Sequence, residues 1–388
     1  MNYTPSSQFL DAFSAIESDR AYIQNGVQKL SYGEATKLID QFCNQYSYLA
    51  GKHCALITNS RYELAKYLPM IASVASKIYL QPSCLNKETA QQFYTSSGIE
   101  YIITVSDTDI DIVEISVSEG SDRSGQEWLL STSGTTGTPK LLSYSLSKLM
   151  LASKKDLSRG GEFSWGLCYD LNRFAGLQVY FQAISSGSSL TIAEVSDSTA
   201  EMLTLFKDMH VNCLSATPSF WRTFLMTKDS SSLELSRITL GGEIADQLVL
   251  SSLRKAFPSS KISHIYASTE AGVGFSVQDG LMGFPLNYTS RSNRPSVELK
   301  ILDNILWIKS EGSANRMLNG TLLVDKFGFI NTGDLVEVKD ERVLFIGRDS
   351  GSINVGGNKV VPEEVEAALN CHPDVCGARV FGKKNSVL

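Results

Sequence analysis

Short apolar runs alternate with amphipathic stretches over most of the chain, and this alternation constrains the fold more than any other feature. The apolar runs include "CALIT", "KIYL" and "EYIIT" and, later, "LTIA", "VNCLS", "RITL" and "KISHIY". Helical patterns lie between them near 61–72, 86–96, 146–157, 174–185, 198–209, 218–226 and 247–257. Strands separated by helices are typical of parallel sheets with helices on both faces. The pattern predicts two α/β lobes in tandem.

Other patterns flank the alternating region. Asn25-Gly26 between two extended runs predicts a hairpin, because this pair accepts the positive φ angles of a tight turn. Ser31 and Glu34 have the spacing of a capping box at a helix start. From about residue 296 the chain is rich in β patterns. We expect an α/β fold: a large N-terminal domain of two α/β lobes and a small β-rich subdomain, then the start of a small α+β domain.

Composition and charge exclude several classes of protein. The chain has 388 residues, of which 43% are hydrophobic and 20% charged, as in ordinary soluble globular proteins. Its net charge of -6 provides no basic surface for nucleic acid or an anionic membrane. The start of the chain has no basic segment followed by an apolar one, and the longest apolar window is short and contains Lys77. These features predict a cytoplasmic protein without a membrane span.

A loop of small polar residues follows the apolar run "WLLS". The sequence "STSGTTGTPK" at 131–140 combines two glycines with six serines and threonines. Gly134 and Gly137 allow consecutive backbone N–H groups to turn inward as an anion-binding nest, to which the hydroxyl groups add donors. A Walker loop is excluded, because Lys140 follows proline and precedes leucine. A strand before the loop and a helix after it favour a polyphosphate-binding loop over a solvated linker.

Five further blocks follow this loop in order. They are "SATPSFWR", "LGGE", "IYASTEAG", "NTGD" and "GRDSGSINVGGNKVVPEEVE". Together with "STSGTTGTPK" they closely resemble the conserved blocks of the adenylate-forming superfamily, which includes acyl-CoA synthetases, peptide-synthetase adenylation domains and luciferases. The resemblance covers nearly the whole chain. It implies that a small-molecule carboxylic acid reacts with ATP to form an acyl-adenylate, from which the thiol of CoA or of a carrier-protein phosphopantetheine displaces AMP.

The resemblance also implies a catalytic group. Glu270 would hold Mg²⁺ and Thr269 would contact the α-phosphate, with Lys140 at the end of the loop counted with them. A carboxylate beside a hydroxyl at a strand end suits Mg²⁺, which prefers one or two protein carboxylates together with phosphate oxygens.

Further residues are implied to bind the nucleotide. Asp334 would accept hydrogen bonds from the two ribose hydroxyls, with Arg348 beside it. Segment 241–243 would border the adenine, and Tyr266 would stack on the purine face. The expected nucleotide-binding residues are Thr132, Ser133, Gly134, Thr135, Thr136, Gly137, Gly242, Glu243, Tyr266, Ala267, Ser268, Thr269, Asp334 and Arg348.

The substrate class depends on the segment "YDLNRFAGLQVYFQAISSGS". An alignment without gaps places Phe174 where amino-acid-activating relatives carry an aspartate for the substrate ammonium, which would remain unpaired here. We therefore expect a fatty or aryl acid, unless the alignment shifts and Asp170 takes that role. The expected acyl-pocket residues are Phe174, Gly176, Thr217 and Gly241. Trp165, Tyr180, Phe181 and Trp221 fit either the pocket or the core.

The last forty residues resemble the start of the family's mobile C-terminal domain. The resemblance predicts an adenylation domain at 1–349 and a hinge with a partial C-terminal domain at 350–388. Ser350 would be the hinge, and Gly356 and Gly357 would line the thiol tunnel. The sequence stops before the family's late lysine, so we expect a truncated chain. The alternative is an ATP- or acyl-adenylate-binding protein with little or no turnover.

Overall fold

The computed structural model describes residues 8–115, 125–132, 139–290, 296–351, 353–355, 358–370, 372, 375 and 378–382. Within these ranges the α-helices are α1 (Gln8–Ser14), α2 (Tyr32–Gln45), α3 (Arg61–Val74), α4 (Lys87–Ser97), α5 (Leu146–Leu149), α6 (Phe174–Ser186), α7 (Thr199–Asp208), α8 (Pro218–Met226), α9 (Gln247–Ala256) and α10 (Pro362–Asn370).

The strands in the described ranges belong to four sheets. They are β1 (Ala21–Gln24), β2 (Lys29–Ser31), β3 (His53–Ile57), β4 (Lys77–Gln81), β5 (Tyr101–Val105), β6 (Ile110–Glu114), β7 (Glu127–Ser131), β8 (Leu141–Ser145), β9 (Ser164–Leu167), β10 (Ser189–Ile192), β11 (Cys213–Ala216), β12 (Arg237–Gly241), β13 (Lys261–Ser268), β14 (Gly272–Val277), β15 (Phe284–Pro285), β16 (Val297–Leu302), β17 (Ile305–Ser310), β18 (Arg316–Met317), β19 (Ile330–Lys339), β20 (Arg342–Arg348), β21 (Ile353–Val355) and β22 (Asn358–Val360).

Two large sheets form the lobes. One has the order β18-β8-β7-β4-β3-β5-β6, with parallel pairing from β7 to β5. The other has the order β14-β13-β12-β11-β9-β10-β1-β2, with parallel pairing from β13 to β1. Antiparallel strands complete both edges of each sheet. The predicted α/β fold with two parallel sheets is confirmed.

The prediction that the lobes follow each other in tandem is wrong. Each of the two large sheets contains a strand that comes from a distant part of the chain. The N-terminal β1 pairs with β10, with Ile23 opposite Leu190. The late β18 pairs with β8, with Arg316 opposite Ser143. Ile23 is fully buried, which only a strand inside the larger sheet allows. The two lobes are therefore interlocked.

The chain after the phosphate loop also differs from expectation. Residues 141–145 form β8 and pair antiparallel with β7, so the loop joins two strands, and the helix that follows ends at Leu149. Four of the five β8 side chains are buried between β7 and β18, which a helix at this position would not permit. The strands β6 and β9 were also missed. The predicted hairpin at Asn25 and the capping box of Ser31 and Glu34 are confirmed.

The expected β-rich subdomain is a five-stranded antiparallel sheet in the order β15-β20-β19-β17-β16. Two of its hairpins turn at Asp303-Asn304 and Asp340-Glu341, and all four of these residues have positive φ. Such two-residue turns match the twist of the strands they join. The sheet brings β19 and β20 beside β13, where the candidate site lies.

Glu127 connects four strands of the first lobe and provides a test of stability. Its carboxylate accepts a hydrogen bond from Ser143 Oγ and lies 3.3 Å from Lys77 Nζ and 2.9 Å from Arg316 Nη2. Burial acts to raise the pKa of Glu127, but the Ser143 hydrogen bond and the two cations outweigh burial and hold this pKa below its usual value. The ionised carboxylate therefore stabilises the folded protein above the unfolded pKa of about 4.3, and this contribution is lost as the pH falls through the lower folded pKa.

We expect Glu127→Gln to reduce the free energy of unfolding by about 1–3 kcal/mol at neutral pH. The difference from the wild type should shrink as the pH is lowered below about 4, where the carboxylate is protonated in both states. Urea unfolding across this pH range measures it. Glu162→Gln, which breaks an exposed pair with Arg159, should change little. An equal loss at every pH would contradict the account.

Candidate active site

A cleft opens where the parallel strands of both lobes end. Its volume is ≈ 1540 Å³, and it is lined from the carboxyl ends of β7, β12 and β13 as well as from β19, β20 and the C-terminal segment. Open α/β sheets place ligands at the carboxyl ends of their strands. The predicted residues that line this cleft are Thr132, Lys140, Phe174, Thr217, Gly241, Gly242, Glu243, Tyr266, Ala267, Ser268, Thr269, Glu270, Asp334 and Arg348.

An ion pair crosses the cleft between the lobes. Lys140 Nζ, just before β8, lies 2.9 Å from Glu270 Oε1, just after β13. The two side chains are 47% and 21% exposed, so the pair is open to an entering ligand. Thr269 lines the cleft next to Glu270. Residues that are 130 positions apart thus form one polar group.

The base of the phosphate loop is held by hydrogen bonds on both sides. Thr132 N–H donates to Lys140 O at 2.9 Å, and Lys140 N–H donates to the Thr132 hydroxyl at 3.2 Å. The side chain of Asn319 donates to Pro139 O and accepts from Leu141 N–H, each at 2.7 Å. Sequence reasoning missed Asn319, and no motif signals its role. The predicted loop residues Ser133, Gly134, Thr135, Thr136 and Gly137 lie outside the described residues.

Asp334 is the centre of a second polar group, from β19, β20 and β13. Its Oδ1 accepts from Arg348 Nε at 2.9 Å, and its Oδ2 accepts from the Tyr266 hydroxyl at 2.5 Å. Burial, followed by the negative charge of Asp334, raises the pKa of Tyr266 well above its usual value, so the hydroxyl stays a donor. An ionised carboxylate accepts about four hydrogen bonds. Asp334 therefore keeps capacity for the two hydroxyls of a ribose.

The ring of Tyr266 packs against two other aromatic rings. Phe275 and Phe345 stack on it, with ring centroids 5.2 Å away in each case and interplanar angles of 16° and 8°. The expected stacking of Tyr266 on a purine stays a prediction. The two phenylalanines could not be predicted as its neighbours, because they lie on other strands of the chain.

The segment expected to border adenine follows β12. Gly242 has φ +83°, a conformation that favours glycine. Glu243 accepts from Ser219 N–H at 2.9 Å at the start of α8, where the helix dipole favours a negative charge. Its other oxygen lies 3.5 Å from Arg379 Nη2. The C-terminal segment thus contacts the predicted adenine side of the cleft.

The predicted acyl-pocket residues divide into two groups. Phe174, Thr217, Gly241 and the candidate Trp165 line the cleft. The remaining aromatic candidates Tyr180, Phe181 and Trp221 are fully buried core residues. Asp170 does not line the cleft and pairs with Arg61 at 2.8 Å.

Gly176 does not line the cleft, and its part in an acyl pocket stays a prediction. A Cβ at this position would lie 2.2 Å from the carbonyl oxygen of Asp170, so α6 needs glycine to pack against that backbone. We expect Gly176→Ala to lower the free energy of unfolding by about 1–3 kcal/mol, as measured by urea denaturation. Gly161→Ala is the control, because its new methyl group would meet only Arg20 at ordinary contact distances. Equal stability of the two variants would contradict this packing.

Two further predictions concern the C-terminal segment. Ser350 lies within a short 3₁₀ helix at Asp349–Gly351, directly after β20. Gly356 and Gly357 lie outside the described residues. The hinge, the thiol tunnel and the domain boundary at 349–350 therefore stay predictions.

The residues present fit a magnesium ion that is shared with phosphates. Among the described residues, no three His, Cys, Asp or Glu side chains group as a complete protein metal site. Glu270 provides one carboxylate, with the Thr269 hydroxyl as its neighbour in the cleft. Mg²⁺ is commonly bound by one or two carboxylates and substrate phosphates, so this small donor set suits it.

Comparisons with known proteins agree with the fold. The family model described as "AMP-binding enzyme" matches residues 128–308. The 2-succinylbenzoate–CoA ligase of Escherichia coli K12 is 26% identical over 260 residues, which cover 63% of this chain and 52% of that protein. The isonitrile lipopeptide synthase of Streptomyces coeruleorubidus is 26% identical over 286 residues, which cover 66% of this chain and 19% of that protein.

Solved structures extend the likeness over the whole fold. The anthranilate CoA ligase AuaEII in complex with anthranoyl-AMP has a TM-score of 0.78 at 17% identity, covering 99% of this chain and 85% of that chain. The o-succinylbenzoate CoA synthetase from Bacillus subtilis, in complex with its acyl-adenylate intermediate, has a TM-score of 0.74 at 19% identity, covering 98% and 86%. The central segment at residues 128–308 thus matches AMP-binding enzymes in sequence, and the whole chain has the fold of these CoA ligase structures. It spans about half the length of the curated CoA ligases that it matches. In the parts that the structure describes, no helix combines the length and hydrophobicity needed to cross a membrane.

Proposed function

We propose that this chain is an ATP-dependent carboxylic acid ligase that forms an acyl-adenylate and passes the acyl group to a thiol. The observation that carries the proposal is the cleft, which is lined by both the Lys140–Glu270 pair and the Asp334–Arg348 pair, although the two pairs come from different sheets. One pair suits the phosphates and the other suits the ribose of a single nucleotide. The match of residues 128–308 to the AMP-binding enzyme family model supports the assignment of this cleft to a nucleotide.

The first half-reaction would use these groups as follows. An oxygen of the substrate carboxylate attacks the α-phosphorus of ATP, a P–O bond to the β-phosphate breaks, and pyrophosphate leaves with its electron pair. Lys140 and the Thr269 hydroxyl would stabilise the negative charge that develops on the phosphate oxygens, while Asp334 would hold the ribose in position. Glu270 would hold Mg²⁺, which when bound neutralises phosphate charge.

In the second half-reaction a thiolate attacks the acyl carbon, AMP leaves, and a thioester forms. The acceptor would be CoA or a carrier-protein phosphopantetheine. The relatives named as CoA ligases favour CoA as the acceptor. Because the chain also matches a lipopeptide synthase, a carrier protein should be tested as the alternative acceptor. Because ATP and CoA are cytoplasmic metabolites, we place the reaction in the cytoplasm.

The cleft supports a fatty or aryl acid as substrate. Phe174 lines the cleft, and the ungapped alignment puts it where a substrate ammonium would need a carboxylate. Asp170, the alternative, does not line the cleft and pairs with Arg61. An amino acid would therefore leave its ammonium unpaired, which is costly. Among relatives, the names 2-succinylbenzoate–CoA ligase and anthranilate CoA ligase point to aryl acids.

ATP–pyrophosphate exchange tests the proposal. The chain is incubated with ATP, Mg²⁺ and radiolabelled pyrophosphate, and a panel of fatty, aryl and amino acids is compared. We expect exchange that depends on a fatty or aryl acid and no exchange with amino acids. Thioester formation is then measured with CoA and with a phosphopantetheinylated carrier protein. Nucleotide binding without exchange for any acid would instead support a binding protein and reject the ligase.

A further inference from the structure

One wall of the cleft is a polar face of the second sheet. Ser215 on β11, Thr239 on β12 and Ser263 on β13 are direct register partners, so their side chains project from the same face. All three line the cleft. The opposite face of these strands carries Leu214 and Ile238, which pack in the core. The sheet therefore presents hydroxyls to the cleft and apolar residues to the helices behind it.

The same wall continues to a cationic end. Arg237 and Lys261 are register partners two residues before the row of hydroxyls, and both line the cleft. Gly241 follows Arg237 by four positions along β12, which corresponds to a distance of about 13 Å along the strand. Gly241 is at the end of β12, next to the nucleotide groups. The cations thus lie well away from the position where an acyl-adenylate would form.

The charges that line the cleft are separated along its length. Its carboxylates lie after the strand ends, on β19 or in the C-terminal segment: Glu243, Asp246, Glu270, Asp334, Asp349, Glu363, Glu364 and Glu366. The cations near them are paired, as in Lys140–Glu270, Arg222–Asp246, Arg348–Asp334 and Arg379–Glu243. The side chains of Arg237, Lys261 and Lys154 have no hydrogen bond or ion pair to another residue in the described ranges. Arg237 and Lys261 therefore place positive charge at the end remote from the nucleotide groups, where the carboxylate of Glu162, outside the cleft, also acts on Arg237 without forming an ion pair with it.

Arg237 is held in place by an aromatic ring. Its guanidinium lies 4.3 Å from the ring centroid of Phe163. Arg159 stacks on the same ring at 5.4 Å but does not line the cleft, and it pairs with the neighbouring carboxylate of Glu162. A stacked guanidinium keeps the donors at its edge available for a planar oxyanion. Arg237 is thus fixed without using its donors.

The other walls of the cleft include apolar side chains from β9 and α6. Trp165 on β9 together with Phe174 and Val179 on α6 faces the same space. A ligand here would contact apolar groups along its body, hydroxyls on one side and a cation at its far end.

We propose that the acid activated here carries a second carboxylate at its far end, and that Arg237 is the residue that selects it. This inference rests on the proposed ligase function, because it takes the reacting carboxylate to lie at the nucleotide end of the cleft. The distance of about 13 Å from Arg237 to Gly241 along the strand determines how long the acid should be between its two carboxylates. Arg237 acts as a specificity residue through a charge-assisted hydrogen bond to that distal group.

Acid-dependent ATP–pyrophosphate exchange tests the proposal. The substrates are straight-chain dicarboxylic acids of increasing length, and each is compared with its monomethyl ester. We expect kcat/KM to be at least about tenfold higher for the diacid than for the ester at the matching length. Arg237→Gln should remove this preference while changing exchange with the ester less than about twofold. Arg254→Gln, which removes a guanidinium that lies outside the cleft, should keep the preference.

The outcomes separate this inference from the proposed function. Exchange with monoacids but no preference for any diacid would overturn the role of Arg237 and leave the ligase intact. A preference that survives Arg237→Gln would also overturn it and assign selection to Lys154 or Lys261. Absence of exchange with every acid would reject the proposed function itself. Thermal unfolding of each variant checks that the substitutions leave the fold unchanged.

Discussion

Glu270→Gln is expected to lower Mg²⁺-dependent ATP–pyrophosphate exchange by about 10²–10³-fold, as for removal of a preorganised charge-stabilising group in comparable sites. The substitution keeps the shape of the side chain but removes the charge that would hold the metal against the phosphates. It also removes the partner of Lys140. Because the side chain of Glu270 is partly exposed and Lys140 more so, the fold should tolerate the change.

A matched control distinguishes this role from a general loss of charge. Glu298→Gln breaks a Glu–Lys pair of similar length, 3.0 Å to Lys309, in the β-rich subdomain and outside the cleft. This variant should keep wild-type exchange. Raising the Mg²⁺ concentration should partly restore the Glu270 variant, because its affinity for the metal is what has changed. Unchanged exchange in the Glu270 variant would refute the metal assignment.

Asp334→Ala is expected to weaken productive ATP binding by about 10²-fold, because two charge-assisted hydrogen bonds to the ribose are lost. Arg348 and Tyr266 already orient the carboxylate, so binding the ribose costs little side-chain conformational entropy. KM for ATP measures the effect. Asp334→Asn is a second variant that keeps the side-chain shape and an acceptor for Tyr266.

Ribose analogues show whether Asp334 acts through the sugar hydroxyls. The wild type should discriminate strongly between ATP and dideoxy-ATP, and the Asp334 variants should treat the two nucleotides nearly alike. Asp279→Asn, which breaks an Asp–Arg pair with Arg342 outside the cleft, should retain the wild-type discrimination. If the Asp334 variants still discriminate, the carboxylate has a structural role and another group binds the ribose.

Sequence periodicity predicted the elements whose side chains repeat over several turns or strands. The helix Arg61–Val74 and the buried strand Lys77–Gln81 are examples, because each buries a continuous apolar surface. The strand Leu141–Ser145 was missed because its burial depends on β18, which lies far along the chain. Strand pairing between distant segments leaves no local pattern, so the interlocking of the lobes could not be predicted.

The same distinction applies to the site. Residues within ordered motifs, such as Glu270 and Asp334, were predicted from the family resemblance of those motifs, and the structure brings them into one cleft. Gly176 shows why a small residue is ambiguous in sequence, because packing against Asp170 and lining a pocket both favour glycine. Arg237 and Asn319 were missed because their importance depends on register and on contacts between distant segments. Such roles are visible only in the folded chain.

The central claim is that a carboxylate attacks the α-phosphorus of ATP in this cleft, and isotope transfer tests it most directly. The chain is incubated with ATP, Mg²⁺ and an acid whose carboxylate oxygens carry heavy oxygen, followed by CoA to release AMP. If an acyl-adenylate forms, one heavy oxygen passes from the acid to the phosphate of AMP and is detected by mass spectrometry. AMP without label, or ADP as the nucleotide product, would contradict the account.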